Sequence, residues 1–275
     1  MSPEHGPYTS KPQPLSPDDA AGLRLPWSSY LSREDLGRHV GRYPHLSWVL
    51  PGTSSYLVSG PWRNRLDVIE VYESRGDKHK LKLWRALLDD PHRTFSAVLI
   101  DSAEYRTSMG FYRRESVDVL EEVHSLRTSA LPGPTVPLTL TIEPMRTRGL
   151  STLLEIDHSA FDWLWRNSRE EFQEYLETPG VTVWIASYEN KPVGYVGYTM
   201  LGGWGHIDRL AVRPEEQGRG HGAQLLSWAL HRLYSDGSRY AQLTTQGSNH
   251  QSYPLYQGFG FRQTRGGYKL YGLYV

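Results

Sequence analysis

The chain has 275 residues and no cysteine, and its 30 lysines and arginines balance 30 aspartates and glutamates. This length accommodates one large domain or two small ones. The neutral charge argues against broad electrostatic binding of nucleic acid or anionic lipid, and the lack of cysteine excludes disulfides, thiolate metal sites and a cysteine nucleophile. We therefore expect a cytoplasmic protein that binds neither nucleic acid nor a membrane.

The first half of the chain begins with a proline-rich segment, residues 1–22, which predicts an extended leader, either packed on the body of the protein or free of it. Alternating apolar patterns follow over residues 23–130 and predict a first domain. Its predicted elements are a strand at 66–72, a helix at 80–88, and strands at 95–100 and 115–126. Prolines and a glycine in residues 131–137 predict a linker to a second domain, residues 138–275.

The second half has a clearer alternation of strand and helix patterns. Predicted strands span 138–142, 181–188, 193–200, 206–212 and 241–245, and two further strands end at Val275. Predicted helices span 149–161, a segment opened by a capping box at Ser168 and Glu171, residues 222–234, and a short stretch after Asn249. This order predicts an α/β fold around a mixed sheet.

A glycine-rich loop lies between the strand 206–212 and the helix that follows it. The loop reads Gln217-Gly-Arg-Gly-His-Gly222, and its glycines allow a sharp turn and a close approach to a ligand. Successive backbone amides near a helix N-terminus form a cradle for phosphate or pyrophosphate, to which Arg219 adds a charged contact. The loop lacks the signatures of a nucleotide P-loop and of a dinucleotide-binding fold. A loop whose glycines serve only for turning remains the alternative.

The second motif is NHQSYPLYQGFGF, residues 249–261. Together the two motifs resemble those of the GNAT superfamily of acyl-CoA-dependent N-acetyltransferases. The family's loop is Gln/Arg-x-x-Gly-x-Gly/Ala, which matches Gln217, Gly220 and Gly222. The family's later segment is matched at six positions, which are Asn249, Ser252, Leu255, Tyr256, Gly260 and Phe261. The resemblance covers about residues 138–275.

The resemblance implies acetyl-CoA as the acyl donor in a direct transfer that needs no metal. It implies that the strand backbone at Leu210, Ala211 and Val212 binds the pantetheine arm, and that the loop holds the pyrophosphate through Gln217, Gly218, Arg219, Gly220, His221, Gly222 and Ala223. Asn249 would hydrogen-bond the cofactor arm, and Tyr256 would protonate the leaving thiolate. Pro254 departs from the family pattern and predicts a helix that begins late, near Tyr253, or is kinked.

The acceptor amine must lose a proton before it attacks a thioester, which calls for a base. His206 and Asp208 lie two residues apart on one strand and so share a face. In relatives with a catalytic glutamate, that residue stands eleven positions before the loop glutamine, where this chain has His206. Imidazole is the better base at neutral pH. The alternatives are a structural histidine, an ion pair of Asp208 with Arg209 or another arginine, and a water chain as base.

The sequence of the first half is weakly similar to that of the second. Gly110-Phe111 corresponds to Gly260-Phe261, which places Arg106 at the position of Tyr256, and the loop after the strand 66–72 keeps only Gly76. We therefore predict tandem GNAT-like domains, each a mostly antiparallel twisted sheet flanked by helices, with a degenerate domain at residues 23–130. An unrelated α/β domain is the alternative.

The leading hypothesis is an N-acetyltransferase, a monomer or homodimer, that acts on a small-molecule or peptide amine. An aromatic set is expected around the acceptor pocket, namely Phe161, Trp163, Trp165, Trp184 and Trp204. Core packing is the alternative for these rings and for Tyr256. Two other functions stay open, a non-catalytic acyl-CoA-binding or scaffold protein and a Fem-like transferase that uses aminoacyl-tRNA. The intact loop argues against the second of these.

Overall fold

The structure is a computed structural model that describes residues 10–27, 29–146 and 149–275. The chain divides into two compact units, residues 1–120 with 270–275, and residues 121–269. Each unit combines a mostly antiparallel sheet with flanking helices. The division differs from the predicted one at 131–137, because the preceding strand pairs within the second unit and the last residues of the chain pair within the first.

In the first unit, five strands form a sheet with short helices between them, and the end of the chain adds to this sheet. The strands are β1 (Gln13–Pro14), β2 (Trp48–Val49), β3 (Tyr56–Trp62), β4 (Arg65–Arg75) and β5 (Ala97–Ile100). The helices are α1 (Pro17–Gly22), α2 (Arg33–Arg42), α3 (Lys80–Leu88), α4 (Ser102–Thr107) and α5 (Met109–Arg114). The strands pair in chain order, antiparallel except for β4 and β5, and β5 also pairs with residues 271–274.

The prediction of an extended leader is wrong for α1. The Ser16 hydroxyl accepts a hydrogen bond from the Asp19 amide at 3.1 Å, and the Asp19 carboxylate accepts one from the Ser16 amide. This reciprocal capping starts the helix, and Pro17 at its first turn suits the helical backbone. Ala20 is fully buried and packs in a cluster that includes Leu15 and Val40. Residues 10–22 are therefore part of the first unit.

The second unit begins within a long strand and ends within another. Its strands are β6 (Asp118–Thr128), β7 (Thr141–Pro144), β8 (Val181–Tyr188), β9 (Lys191–Leu201), β10 (Trp204–Val212), β11 (Ala241–Gln246) and β12 (Arg262–Tyr274). Its helices are α6 (Leu150–Ala160), α7 (Arg169–Glu177), α8 (His221–Ser235) and α9 (Tyr253–Gly258). The strand order is β12-β6-β11-β10-β9-β8-β7. One strand, β12, stands where two final strands were predicted, and β7 begins three residues later than its predicted start.

Helix α8 packs on the sheet through the apolar face that its spacing predicts. Leu226, Ala229, Leu230 and Leu233 are all fully buried in the main cluster of this unit. The helix lies close to the strands because Gly205 faces it, and a Cβ at that glycine would meet Leu233 at 2.7 Å. This packing fixes the N-terminus of α8 beside the end of β10.

A strand–helix–parallel strand element recurs in both units. In the first unit, α3 connects β4 to its parallel neighbour β5, and in the second, α8 connects β10 to its parallel neighbour β11. The remaining strand pairs that flank these elements are antiparallel. Among the described residues, no helix has both the length and the apolar character that a membrane crossing requires.

Candidate active site

A cleft of about 610 Å³ opens where β10 and β11 separate. The two strands pair only from Gly205 to Ile207, and β10 then continues to Val212 along β9 alone. The register between β9 and β10 shifts at Asp208, a bulge that turns the strand. Backbone groups of β10 beyond this bulge therefore have no partner on β11 and face the cleft.

The glycine-rich loop forms one end of this cleft. Gly218 and Gly220 have φ values of 75° and 81°, a conformation that glycine adopts without strain. Gly220 precedes the first residue of α8, so the free amides of a 15-residue helix point toward the cleft end. Gln217 ties this end together, because its amide nitrogen donates to the Val212 carbonyl at 2.9 Å and its oxygen accepts from Gln251 at 3.1 Å.

Most predicted cofactor-binding residues are brought together here. Those that line the cleft are Leu210, Ala211, Val212, Gln217, Gly218, Gly220, Gly222, Ala223 and Asn249. Arg219 and His221 belong to the same loop, but their side chains lie elsewhere. The Arg219 guanidinium is exposed and pairs with Glu216 at 2.9 Å, and the His221 ring is buried beside Tyr188 at 5.4 Å. Neither side chain lines the cleft.

The second motif forms the opposite wall. Asn249 donates a hydrogen bond to Thr245 at 3.1 Å, and residues 248–252 form turns that line the cleft. Helix α9 begins at Tyr253, which confirms the late start predicted from Pro254. Proline fits there because the first turn of a helix needs no amide donor at that position.

Tyr256 lies just behind this wall. Its ring is buried in the core, 6.1 Å from the Phe261 ring, and its hydroxyl lies near the side chain of Ser252, which itself lines the cleft. Burial raises the pKa of Tyr256 to about 12, so its proton stays in place at neutral pH. Tyr256 is therefore packed in the core, as a structural role requires, and it also keeps its proton, as a catalytic acid requires.

His206 and Asp208 form a hydrogen-bonded pair, although neither lines the cleft. His206 Nδ1 lies 2.7 Å from Asp208 Oδ1, and Asp208 Oδ2 accepts hydrogen bonds from Tyr175 and Thr199, both at 2.7 Å. When Nδ1 donates to the carboxylate, Nε2 is left as the basic nitrogen. Burial, together with the charge of Asp208, raises the pKa of the Tyr175 hydroxyl. The suggested ion pair between Asp208 and Arg209 is wrong, because Arg209 pairs with Asp157.

A buried network around Arg209 was not predicted from the sequence. Arg209 forms a close ion pair with the fully buried Asp157, and it donates to the Tyr195 hydroxyl at 2.9 Å and the Trp165 carbonyl at 3.1 Å. Its guanidinium also lies 4.0 Å from the centre of the Phe161 ring. The network therefore holds the segment 161–167, part of which lines the cleft. The available signal was the position of Asp157, which lies at helical spacing from Leu150 and Leu153 and so falls on the buried face of α6.

The predicted aromatic set divides between cleft and core. Phe161 and Trp165 line the cleft together with Asp162. Trp184 packs against Trp228 at 5.4 Å in the core, and Trp204 lies 6.3 Å from the His206 ring. Trp163 lies in a short 3-10 turn with Trp165.

The region that contains this cleft is similar to known proteins. Residues 150–261 match the acetyltransferase (GNAT) family. A curated protein of Bacillus subtilis (strain 168), whose name describes an N-acetyltransferase for the alanine of ribosomal protein bS18, is 26% identical over 121 residues. The matched segment is 44% of this chain and 80% of that protein.

Two solved structures share the fold over almost the whole chain. A GCN5-related N-acetyltransferase from Sphaerobacter thermophilus is 18% identical with a TM-score of 0.56, covering 96% of this chain and 95% of its own. A tandem GNAT protein from the clavulanic acid biosynthesis pathway is 13% identical with a TM-score of 0.53, covering 96% and 98%. Residues 150–261 therefore form an acetyltransferase domain of the GNAT family, and the chain as a whole shares the fold of a tandem GNAT protein.

Proposed function

We propose that the second unit binds acetyl-CoA in the cleft between β10 and β11 and transfers its acetyl group directly to an amine. The observation that carries this proposal is the meeting of three features in one cleft: the amides at the start of α8, the unpaired edge of β10, and the turns after Asn249. A pyrophosphate at the first, and the amides of a pantetheine arm along the second, match these features chemically.

The acceptor side of the cleft suits a cationic amine. Asp162 offers a carboxylate there and Trp165 an aromatic ring, and both attract ammonium groups. Both a small-molecule amine and a peptide amine fit this description. The Bacillus subtilis relative, named for the alanine of a ribosomal protein, supports the inclusion of peptide α-amines among the candidates.

In the proposed reaction, the amine nitrogen attacks the thioester carbonyl carbon and the carbon–sulfur bond breaks. His206, oriented by Asp208 at 2.7 Å, takes the amine proton at Nε2, through water because neither side chain lines the cleft. Tyr256 supplies a proton to the leaving thiolate. The position of Tyr256 beside Ser252, which lines the cleft, supports this role. Its hydroxyl is protonated at neutral pH and so has a proton to give.

The test is a screen of amines and peptides with acetyl-CoA, read by release of the CoA thiol. The chain itself contributes no thiol background because it has no cysteine. We expect turnover with at least one amine, and we expect His206→Gln to lose turnover while it retains acetyl-CoA binding. Tight acetyl-CoA binding with no turnover on any amine would favour a non-catalytic acyl-CoA-binding protein instead.

A further inference from the structure

Three metal-ligating side chains converge in the first unit. His45 lies in the turn between α2 and β2, and Asp90 and His92 lie in the turn that follows α3. One ligand atom from each of the three lies within 4.8 Å of the other two. The His45 backbone has a φ of 70°, a conformation that few residues other than glycine adopt.

The closest two ligand atoms do not hydrogen-bond each other. His45 Nδ1 lies 3.2 Å from Asp90 Oδ2, yet both atoms are buried without a hydrogen-bond partner among the residues that the structure describes. The two atoms are therefore close enough for a hydrogen bond, but their relative orientation does not allow one. Ligands around a tetrahedral zinc ion, with bonds of about 2.0–2.1 Å, are themselves roughly 3.3 Å apart.

The carboxylate is held in place for this contact. The Asp90 side chain is only 3% exposed, and its other oxygen, Oδ1, accepts a hydrogen bond from the His92 amide at 3.0 Å. Leaving Oδ2 buried without a partner is costly, and a bound cation removes that cost. The His45 turn is also braced, because Trp48 Nε1 donates to the His45 carbonyl at 3.1 Å.

We propose that His45, Asp90 and His92 bind a divalent transition metal such as Zn²⁺. Two imidazoles and a carboxylate form a nitrogen and oxygen ligand set that zinc accepts, and they leave a fourth position for water on the exposed side of His92. The ion links the turn after α2 to the turn after α3. It therefore stabilises the first unit and takes no part in the proposed acetyl transfer, whose residues all belong to the second.

The experiment uses the full chain after treatment with a chelator. Zn²⁺ is titrated by calorimetry, and Co²⁺ is added in parallel because a tetrahedral nitrogen and oxygen site gives it visible absorption bands. The variants are His92→Gln and Asp90→Asn, and the second keeps the shape of the side chain and the oxygen that accepts from the His92 amide. His231→Gln, on α8 of the second unit, is the matched control.

We expect one ion per chain in the wild type and in His231→Gln, and at least a 10-fold weaker affinity, about 1.4 kcal/mol, in His92→Gln and Asp90→Asn. Zn²⁺ should also raise the melting temperature of the wild type more than that of either site variant. If the wild type binds no ion at micromolar concentration, or if His92→Gln binds it as tightly as the wild type, the proposal is overturned.

Discussion

At the scale of single residues, burial decides which side chains keep their protons. Tyr256 is enclosed by the core of the second unit, and its pKa rises to about 12 because its charged form would be poorly solvated. Glu70 on β4 of the first unit shows the same effect on a carboxyl group. Burial, reinforced by the nearby charge of Asp101, raises its pKa from 4.5 to about 7.

The Tyr256→Phe variant tests the proposed acid. It removes the proton donor but keeps the ring that packs near Phe261. We expect turnover to fall roughly 100-fold, the range of a lost acid–base group, with acetyl-CoA affinity little changed. The control is Tyr253→Phe on the same helix, whose hydroxyl contacts His124 instead. If turnover falls equally in the two variants, or does not fall in Tyr256→Phe, Tyr256 has only a structural role.

The raised pKa of Glu70 predicts a pH dependence of stability. Below pH 4.5 both folded and unfolded chains hold this proton, and between pH 4.5 and 7 only the folded chain does, so rising pH favours unfolding. Relative to Glu70→Gln, the wild type should lose up to about 3 kcal/mol of unfolding free energy between pH 4.5 and 8. Urea denaturation at several pH values measures this difference. The exposed Glu177→Gln on α7 should change nothing.

At the scale of elements, the loop before α8 combines an unusual backbone with open space. Gly220 has a φ of 81°, and a Cβ there would meet no atom within 4 Å. A side chain at this position therefore projects into open space without a clash, although the positive φ strains any residue other than glycine. A control with the same strain separates the effect on a ligand from the effect on the fold. Gly237, just after α8, has a φ of 95° and is equally open, but it does not line the cleft.

These two glycines form a matched pair of variants. We expect Gly220→Val to weaken acetyl-CoA binding at least 10-fold, about 1.4 kcal/mol, because the new side chain occupies the approach to the cradle. Gly237→Val imposes a similar backbone strain of about 1–3 kcal/mol and should bind acetyl-CoA normally. Calorimetry on both folded variants decides the matter. If Gly237→Val loses as much affinity for acetyl-CoA as Gly220→Val, the loss comes from destabilisation of the fold and not from the binding site.

Elements with strong local signals agree with their predictions. The helix at 80–88 and the strand at 181–188 have the predicted bounds, and Ser168 caps α7 as its motif indicates, accepting from the Glu171 amide at 2.9 Å. Elements that break local rules were missed. Strand β3 contains Gly60 and Pro61, which disfavour strands, but its pairing with β4 shifts register beside Pro61 and so accommodates both.

At the scale of the whole molecule, the element β4-α3-β5 of the first unit differs from β10-α8-β11 of the second at the N-terminus of its helix. Side chains fill the space there in the first unit, whereas a cleft opens there in the second. In the first unit, Gly76 packs so closely that a Cβ would lie 2.1 Å from the Ser55 hydroxyl oxygen. Lys80, the first residue of α3, is buried and pairs with Glu104 at 3.3 Å. Side chains thus take the space that a pyrophosphate fills in the proposed site, which supports the interpretation of the first unit as a degenerate copy.

We therefore expect one acetyl-CoA site per chain, in the second unit. Calorimetric titration of the intact protein should give a stoichiometry of one, and binding should disappear when Gly220 and Gly222 are replaced together. Replacement of Gly76 should leave acetyl-CoA affinity unchanged provided the variant folds. Two tight sites per chain, or binding that survives the double replacement, would show that the first unit also holds the cofactor.

The sequence by itself determined the family resemblance, the glycine-rich loop and most of the elements in the second half. These features depend on residues that are close together in the chain, such as those from Gln217 to Gly222. Their conformation follows from local backbone geometry, so the sequence pattern predicts it directly. Tertiary structure alone decided the unit boundaries, because β6 and β12 are assigned by their distant pairing partners. It also decided the partners of Arg209 and the meeting of His45 with Asp90, since contacts between residues distant in sequence follow from packing and leave no local pattern.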